Sequence, residues 1–299
     1  MITALSQNPQ ILIQGITGKE GQRSLEWLQA YGTQVVAGVT PGKGGQSVND
    51  VPVYNSVAEA LQNHPGITVS SIYVPPKFVR SATLEALEAG IKNIHIIGEE
   101  VPLRDTAEIL EMARARSARV LGPSSIGAIV PGKAKVGSIG GSENSQFQPG
   151  NIAVLSKSGG MSSEISLLLQ QHGYGQSFVV GIGGNVLIGT TFADLVDELE
   201  ADPNTHATVV IGEIGGWYEE LLAEKLASLP NHKPYLAFIS GQFAETLPQG
   251  MSFGHAGAIV DSKVGTRQGK REALQAAGAH IIDQPSDIVK LLQTVLSKE

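Results

Sequence analysis

The 299-residue chain has no cysteine. Disulfides, thiolate metal ligands and covalent catalysis through sulfur are therefore excluded, so group transfer through this chain needs another nucleophile. Aromatic residues are few, 5 % with two Trp, and charged residues amount to only 16 %. No apolar run approaches the roughly 20 residues that cross a bilayer. The start, MITALSQNPQILIQG, lacks a basic first segment and a small-residue cleavage site, so an unprocessed cytoplasmic chain is expected. Basic residues are outnumbered, 21 Lys and Arg against 28 Asp and Glu, and form no block. A formal charge of −7 without a basic cluster speaks against nucleic-acid and membrane partners. The seven histidines show neither H-x-x-x-H nor the carboxylate spacing of a zinc site, and no metal is expected.

Glycine is abundant, 36 residues, and its placement is informative. Short apolar runs (QILIQG, QVVAGVT, SSIYVPP, NIHIIGE) alternate with amphipathic stretches (SLEWLQAYG, SVAEALQNH, SATLEALEAG), and many of the runs end in glycine. Strands of four to seven residues separated by helices of about ten predict a doubly wound parallel α/β sheet, Rossmann-like, over residues 1–127. Residues 128–150, rich in Gly, Pro and Ser and without helical period, read as a crossover. The alternation restarts with NIAVLSKSGG, QSFVVGIGG, ATVVIGEIGG and PYLAFISG, predicting a second α/β domain over residues 151–299.

Four motifs carry chemistry. ILIQGITGKEGQ ends a strand in Gly15, Gly18 and Gly21 and enters a helix, a place where backbone N–H groups attract an anion. The spacing is G-x-x-G-x-x-G rather than G-x-G-x-x-G, and the next strand ends in GVTPGKGG with no acid for a ribose, which disfavours NAD. Lys43 in that loop suits phosphate; the alternative is a pair of tight turns. SKSGGMSSE, residues 156–164, opens another helix with Ser and Gly, either a second anion site or plain N-capping. Glu213 in VIGEIGG stands at a strand end, where it can orient an imidazole or bind loop amides. His255 in SFGHAGAIV sits among glycines and alanines, presented at a loop tip or satisfied by the loop itself.

Taken in order, QGITGKEG, GVTPGKGG, GIGG, GEIGG and GHAGAI resemble the α subunits of succinyl-CoA synthetases over nearly the whole chain, within a family that also includes part of ATP-citrate lyase. The resemblance implies a CoA-binding Rossmann-like domain followed by a flavodoxin-like ligase domain. It implies that His255 is phosphorylated by ATP or GTP with Mg, the nucleotide being held mainly by an ATP-grasp β subunit, and that Glu213 holds the histidine. Coenzyme A would be lined by Thr17, Gly18, Lys19, Glu20, Lys43, Ile97, Gly98 and Glu99. The acid, a small dicarboxylate or tricarboxylate, would meet Ser158, Gly159, Gly160, Met161 and Ser163. Succinate is the first expectation, citrate the second, and a CoA-binding regulatory module without catalysis the alternative. Two departures bear on this: GPSSIG replaces the family's GPNCPG, and Ser163 stands where a tyrosine is expected. SGGMS and Phe253 lean towards the citrate-using branch.

Overall fold

The computed structural model describes residues 2–242 and 265–297. The chain divides into two compact units, residues 1–144 with 187–189, and residues 145–186 with 190–299.

The first unit runs α1 (Ile2–Ser6), β1 (Gln10–Gln14), α2 (Lys19–Ala30), β2 (Val35–Val39), β3 (Ser47–Val48), β4 (Val51–Tyr54), α3 (Val57–Asn63), β5 (Ile67–Ile72), α4 (Pro76–Glu88), β6 (Asn93–Ile96), α5 (Leu103–Ala115), β7 (Arg119–Leu121), β8 (Gly127–Val130) and β9 (Ala134–Gly137). Seven strands form one sheet in the order β3-β4-β2-β1-β5-β6-β7. Only the short edge strand β3 pairs antiparallel. Leaving β3 aside, the order is 3-2-1-4-5-6, the Rossmann arrangement. Ile11, Leu12 and Ile13 of the central β1 are fully buried, because helices cover both faces of a parallel sheet and its strands lose polar alternation. The chain leaves β1 in opposite directions towards β2 and β5, so the carboxyl ends of these strands open a crevice at the switch point.

The stretch predicted as a crossover contains structure of its own. β8 and β9 make an antiparallel hairpin, Ala128 opposite Val136 and Val130 opposite Ala134. The signal was present, two apolar runs separated by Pro131-Gly132-Lys133, but the surrounding Gly and Ser masked it. Its strands approach so closely that a Cβ on Gly127 would lie 1.8 Å from the Val136 carbonyl oxygen. Lys135 is fully buried; its Nζ donates to the carbonyls of Ile139 (3.3 Å) and Gly141 (2.8 Å) and to Asn144 Oδ1 (3.0 Å). Burial lowers its pKa to about 8.

The second unit runs β10 (Pro149–Ser156), α6 (Gly159–Gln171), β11 (Gln176–Gly181), a 3-10 turn at Ala193–Leu195 leading into α7 (Val196–Ala201), β12 (Ala207–Gly212), α8 (Tyr218–Ala227), β13 (Tyr235–Ile239), α9 (Arg267–Ala276), β14 (His280–Ile282) and α10 (Asp287–Leu296). Its strands pair in parallel in the order β11-β10-β12-β13-β14. That is 2-1-3-4-5, the flavodoxin-like order, with its switch point between β10 and β12. No helix among the described residues is long and apolar enough to cross a membrane.

His95 on β6 is wholly buried. Its Nε2 lies 3.0 Å from the Ser125 carbonyl oxygen, which can only accept, so Nε2 carries the proton and Nδ1 accepts from the Ser71 hydroxyl at 2.8 Å. Burial pushes its pKa from 6.5 down to about 4. The unfolded chain therefore binds a proton that the folded chain does not between these values. Stability from this group is complete above pH 6.5 and is lost as pH falls to about 4, roughly 3 kcal/mol in all. His95→Gln should flatten the fall in unfolding free energy across that window, measured by urea denaturation at stepped pH. Parallel curves for the two proteins would refute the assignment.

Candidate functional site

In the first unit the carboxyl ends of β1, β2 and β5 enclose a crevice of about 610 Å³. Gly15 turns the chain at φ +81, and a Cβ there would lie 2.8 Å from the Tyr73 carbonyl oxygen, so the turn is closed to other residues. α2 then starts at Lys19 with Gly18 as its N-cap and no side chain capping it. Its first amides are thus open to an anionic ligand. Thr17 Oγ1 donates to Thr40 Oγ1 at 3.2 Å, and Thr40 donates to the Val39 carbonyl, tying the β1 and β2 loops together. Asn55 Oδ1 accepts from the amides of Gly42 (2.9 Å) and Gly44 (3.1 Å) and so shapes the loop that exposes Lys43.

Of the predicted CoA residues, Thr17 and Gly18 line this crevice. Lys19 and Glu20 stand exposed at the start of α2 and Lys43 on the loop after β2, Glu20 paired with Arg23 at 3.4 Å. Ile97, Gly98 and Glu99 follow β6 at the same edge of the sheet, where the Gly98 carbonyl accepts from the Ser124 amide at 2.9 Å. The crevice also takes Thr40, Tyr73, Pro75 and Phe78, which sequence reasoning missed. Phe78 is half exposed with the Lys77 ammonium 4.9 Å from its ring centre. Its signal, an apolar run ending in YVPPKF, names a strand end but not the side chain that faces the opening.

In the second unit the predicted anion site and the Glu213 loop leave neighbouring strands, since Ser156 of β10 pairs with Ile211 of β12. At the start of α6, Ser158 Oγ accepts from the Met161 amide (3.4 Å), the Ser158 carbonyl accepts from the Ser162 amide (3.1 Å), and the Ser158 amide donates to Ser156 Oγ (3.0 Å). Intramolecular capping thus engages the amides of Ser158 and Met161, and those of Gly159 and Gly160 are the donors left for a ligand. Gly160 is exposed, and a Cβ there would meet no atom within 4 Å. Ser163 lies half buried in the first turn of the helix.

Glu213 follows β12 with its side chain 12 % exposed, and its Oε1 lies 3.0 Å from Lys157 Nζ. Its amide donates to Glu219 Oε1 at 3.1 Å. Glu219 forms an ion pair with Lys270, both side chains fully buried, and Lys270 Nζ also donates to the Gly215 carbonyl at 2.7 Å. Glu220 stands 3.8 Å from the same ammonium, and burial raises its pKa against that attraction. Sequence reasoning found Glu213 but neither Lys157 nor the Glu219–Lys270 pair. His255 and Phe253 lie outside the described residues. Residues on either side of that segment return to the Glu213 loop: the Ser240 amide and hydroxyl donate to the Gly212 carbonyl (3.0 and 3.1 Å), the Gly265 carbonyl accepts from the Gly215 amide (2.8 Å), and the Gly265 amide donates to Glu220 Oε1 (3.3 Å). Among the described residues no group of three or more His, Asp or Glu could hold a metal.

Family models agree with this division. The CoA binding domain matches residues 6–100 and the CoA-ligase domain residues 155–280. The chain is 42 % identical to the α subunit of an ADP-forming succinate–CoA ligase from Methanothermobacter thermautotrophicus, over 98 % of this chain and 96 % of that one. It is 40 % identical to a subunit of an ADP-forming sulfoacetate–CoA ligase from Bilophila wadsworthia, over 98 % of both. Among solved structures it resembles an ATP citrate lyase from Methanothrix soehngenii in complex with citrate and coenzyme A, at TM-score 0.88 and 26 % identity, over 97 % of this chain and 50 % of that one. The present chain thus spans half the length of that lyase.

Removing one partner of a buried pair leaves an uncompensated charge. Lys270→Met should therefore destabilise the second unit by about 3–5 kcal/mol, and replacing Glu219 by Leu as well should recover part of the loss. Chemical denaturation of the three variants checks this. A cost under about 1 kcal/mol for the single change would contradict the assigned pairing.

Proposed function

The chain belongs to the CoA-ligase family that contains the α subunits of ADP-forming succinate–CoA ligases, and on that premise we propose that it is the phosphohistidine-bearing subunit of an acid–CoA ligase, working with a nucleotide-binding β subunit. The observation that supports this reading best is the return of Ser240 and Gly265, on both sides of the segment holding His255, to the loop that carries Glu213. Glu213 stands on the loop to which both flanks return, and a carboxylate there is a natural acceptor for an imidazole N–H.

In this reading Glu213 accepts from one ring nitrogen of His255, so the other keeps its lone pair and attacks the terminal phosphorus of the nucleotide. The N–P bond forms, the bond to the bridging oxygen breaks and the nucleoside diphosphate leaves. A carboxylate oxygen of the acid then takes the phosphoryl group, breaking N–P and giving an acyl phosphate. The sulfur of coenzyme A attacks the acyl carbon, the C–O bond to phosphate breaks, and the thiol proton leaves to solvent. The amides of Gly159 and Gly160 are placed to receive anionic oxygens, and such preset donors are each worth about 3 kcal/mol where charge develops. In the first unit the uncapped start of α2 and the Lys43 ammonium suit the phosphates of coenzyme A, with Thr17, Gly18, Lys19 and Glu20 at the crevice mouth and Ile97, Gly98 and Glu99 on the same edge.

Succinate is the acid we favour, because its ligases recur among the relatives at about 40 % identity. A second reading has a specific observation behind it: the sulfoacetate–CoA ligase subunits are equally similar. Both acids carry an anionic head one or two carbons from the reacting carboxylate, and the open space at Gly160 admits the bulkier sulfonate, or citrate, as readily as a second carboxylate.

The complex reconstituted with its β subunit, incubated with nucleotide labelled in the terminal phosphate, should acquire acid-labile, base-stable label that His255→Asn abolishes. A wild-type complex that never acquires label would support a CoA-binding module without catalysis. In the same complex, Gly160→Thr should spare succinate and lower kcat/KM for citrate and sulfoacetate at least tenfold. Equal losses for every acid would remove the acid from the start of α6, and turnover of sulfoacetate without succinate would select the second reading.

A further inference from the structure

One buried polar cluster in the first unit has no task in the scheme above. Its members are Ser24 of α2, Ser71 near the end of β5, Tyr73 just after it, His95 of β6 and Ser125 in the loop after β7, all buried. The Ser125 carbonyl accepts from His95 Nε2 at 3.0 Å, so His95 Nδ1 accepts from the Ser71 hydroxyl at 2.8 Å. Ser71 also hydrogen-bonds the Tyr73 phenol; with its own proton committed to His95, its oxygen accepts the phenolic proton. The Tyr73 oxygen in turn accepts from the Ser24 hydroxyl at 2.5 Å, the Gly137 carbonyl being a more distant acceptor for Ser24 at 3.5 Å. Burial pushes the phenol pKa up, which keeps it a donor at neutral pH. The donors therefore run in one direction, from α2 through β5 and β6 to the loop after β7.

Two of these residues belong to the walls of the crevice at the ends of β1, β2 and β5. Tyr73 lines it, and Ser24 lies further along α2, the helix whose start has no side-chain cap. We propose that Tyr73 is a positioning residue for coenzyme A, acting through Ser24, an inference that rests on the coenzyme site proposed above. Helix-start amides that no side chain caps are held in place by whatever holds the helix body. Here Gly21 packs on the Gly15 turn, where a Cβ would lie 2.3 Å from the Gly15 carbonyl oxygen, and the Ser24 hydroxyl ties the helix to Tyr73. Tyr73 also fixes the opposite wall, since its amide donates to the Gln14 carbonyl at 2.9 Å. One phenol thus sets the distance between the α2 amides and the loop that carries Pro75 and Phe78. Removing its hydroxyl leaves the buried Ser24 and Ser71 without their partner, and a backbone shift or an entering water is needed to satisfy them. That shift falls between two walls that the coenzyme must touch together.

The test follows acyl-CoA formation at varied coenzyme A, and labelling by nucleotide, in the complex reconstituted with its β subunit. Tyr73→Phe, which keeps the ring, should raise KM for coenzyme A by about fivefold, while kcat and the labelling rate stay within about twofold of wild type. Ser24→Ala should do the same, and the double variant should be no more than about twofold worse than Tyr73→Phe alone, because both changes remove one link. 3′-Phospho-ADP, the coenzyme without its pantetheine arm, should weaken by the same factor as a competitor of coenzyme A, which places the effect in the crevice. Ser24→Ala carries these comparisons if Tyr73→Phe lowers the yield of folded complex. A merely structural role would lower the melting temperature of the variants and leave KM and the competition unmoved, and that result overturns the inference. Losses that multiply in the double variant overturn it too, as does a fall in labelling as large as the loss in coenzyme A use. Wild type that labels but does not saturate with coenzyme A overturns instead the reading on which the inference rests.

Discussion

The ion pair between Lys270 and Glu219 is the constraint on which the second unit's functional geometry depends. Both side chains are sealed from water, so neither can be satisfied by solvent and each must find its partners within the fold. The ammonium is satisfied by Glu219 and by the Gly215 carbonyl; the carboxylate is satisfied by the ammonium and by the Glu213 amide. These contacts draw α9, the start of α8 and the loop after β12 to one point. Since α9 begins two residues after Gly265, the same contacts set the position of Gly265 beside the Glu213 loop. A buried pair contributes little net stability compared with an apolar replacement, and its value here lies in specifying one arrangement of loops.

The two units obey the same sheet logic with different chemistry. In each unit the functional loops leave the carboxyl ends of neighbouring parallel strands at a switch point, β1 with β5 in one and β10 with β12 in the other. The first unit has an uncapped helix start with exposed Lys19 and Lys43 near it, which suits the large polyanion proposed above. The second caps its helix with Ser158 and leaves the amides of Gly159 and Gly160 for the small anion proposed above. Its cations, Lys157 and Lys270, are buried and paired with carboxylates.

Much of this architecture was legible before any coordinates. The alternation of apolar runs and amphipathic stretches gave the strands, their parallel pairing and the two-unit organisation, because each depends on patterns a few residues long. The place of Glu213 at the end of a strand was legible from the apolar run and glycines around it, whereas whether it orients an imidazole or binds loop amides was left open. The β8–β9 hairpin was not, since its turn lay inside a stretch whose composition already read as a linker. Nor was the division of amides at α6: SKSGG announces a helix cap, but only the geometry shows that the serine engages the Met161 amide and leaves those of Gly159 and Gly160.

The sequence by itself determined the fold class, the family resemblance, the absence of cysteine chemistry in this chain and the order of the glycine-bounded motifs, all of which follow from residue type and spacing. The tertiary structure alone decided which charges are buried. Lys157 among serines and Lys270 in RQGKRE carry every mark of solvated side chains, and nothing in their immediate neighbours distinguishes them from Lys43. Their burial arises because the pairing of β10 with β12 and the packing of α8 on α9 bring Glu213 and Glu219 against them. The energy of a charge depends on what surrounds it in space, which local periodicity does not encode.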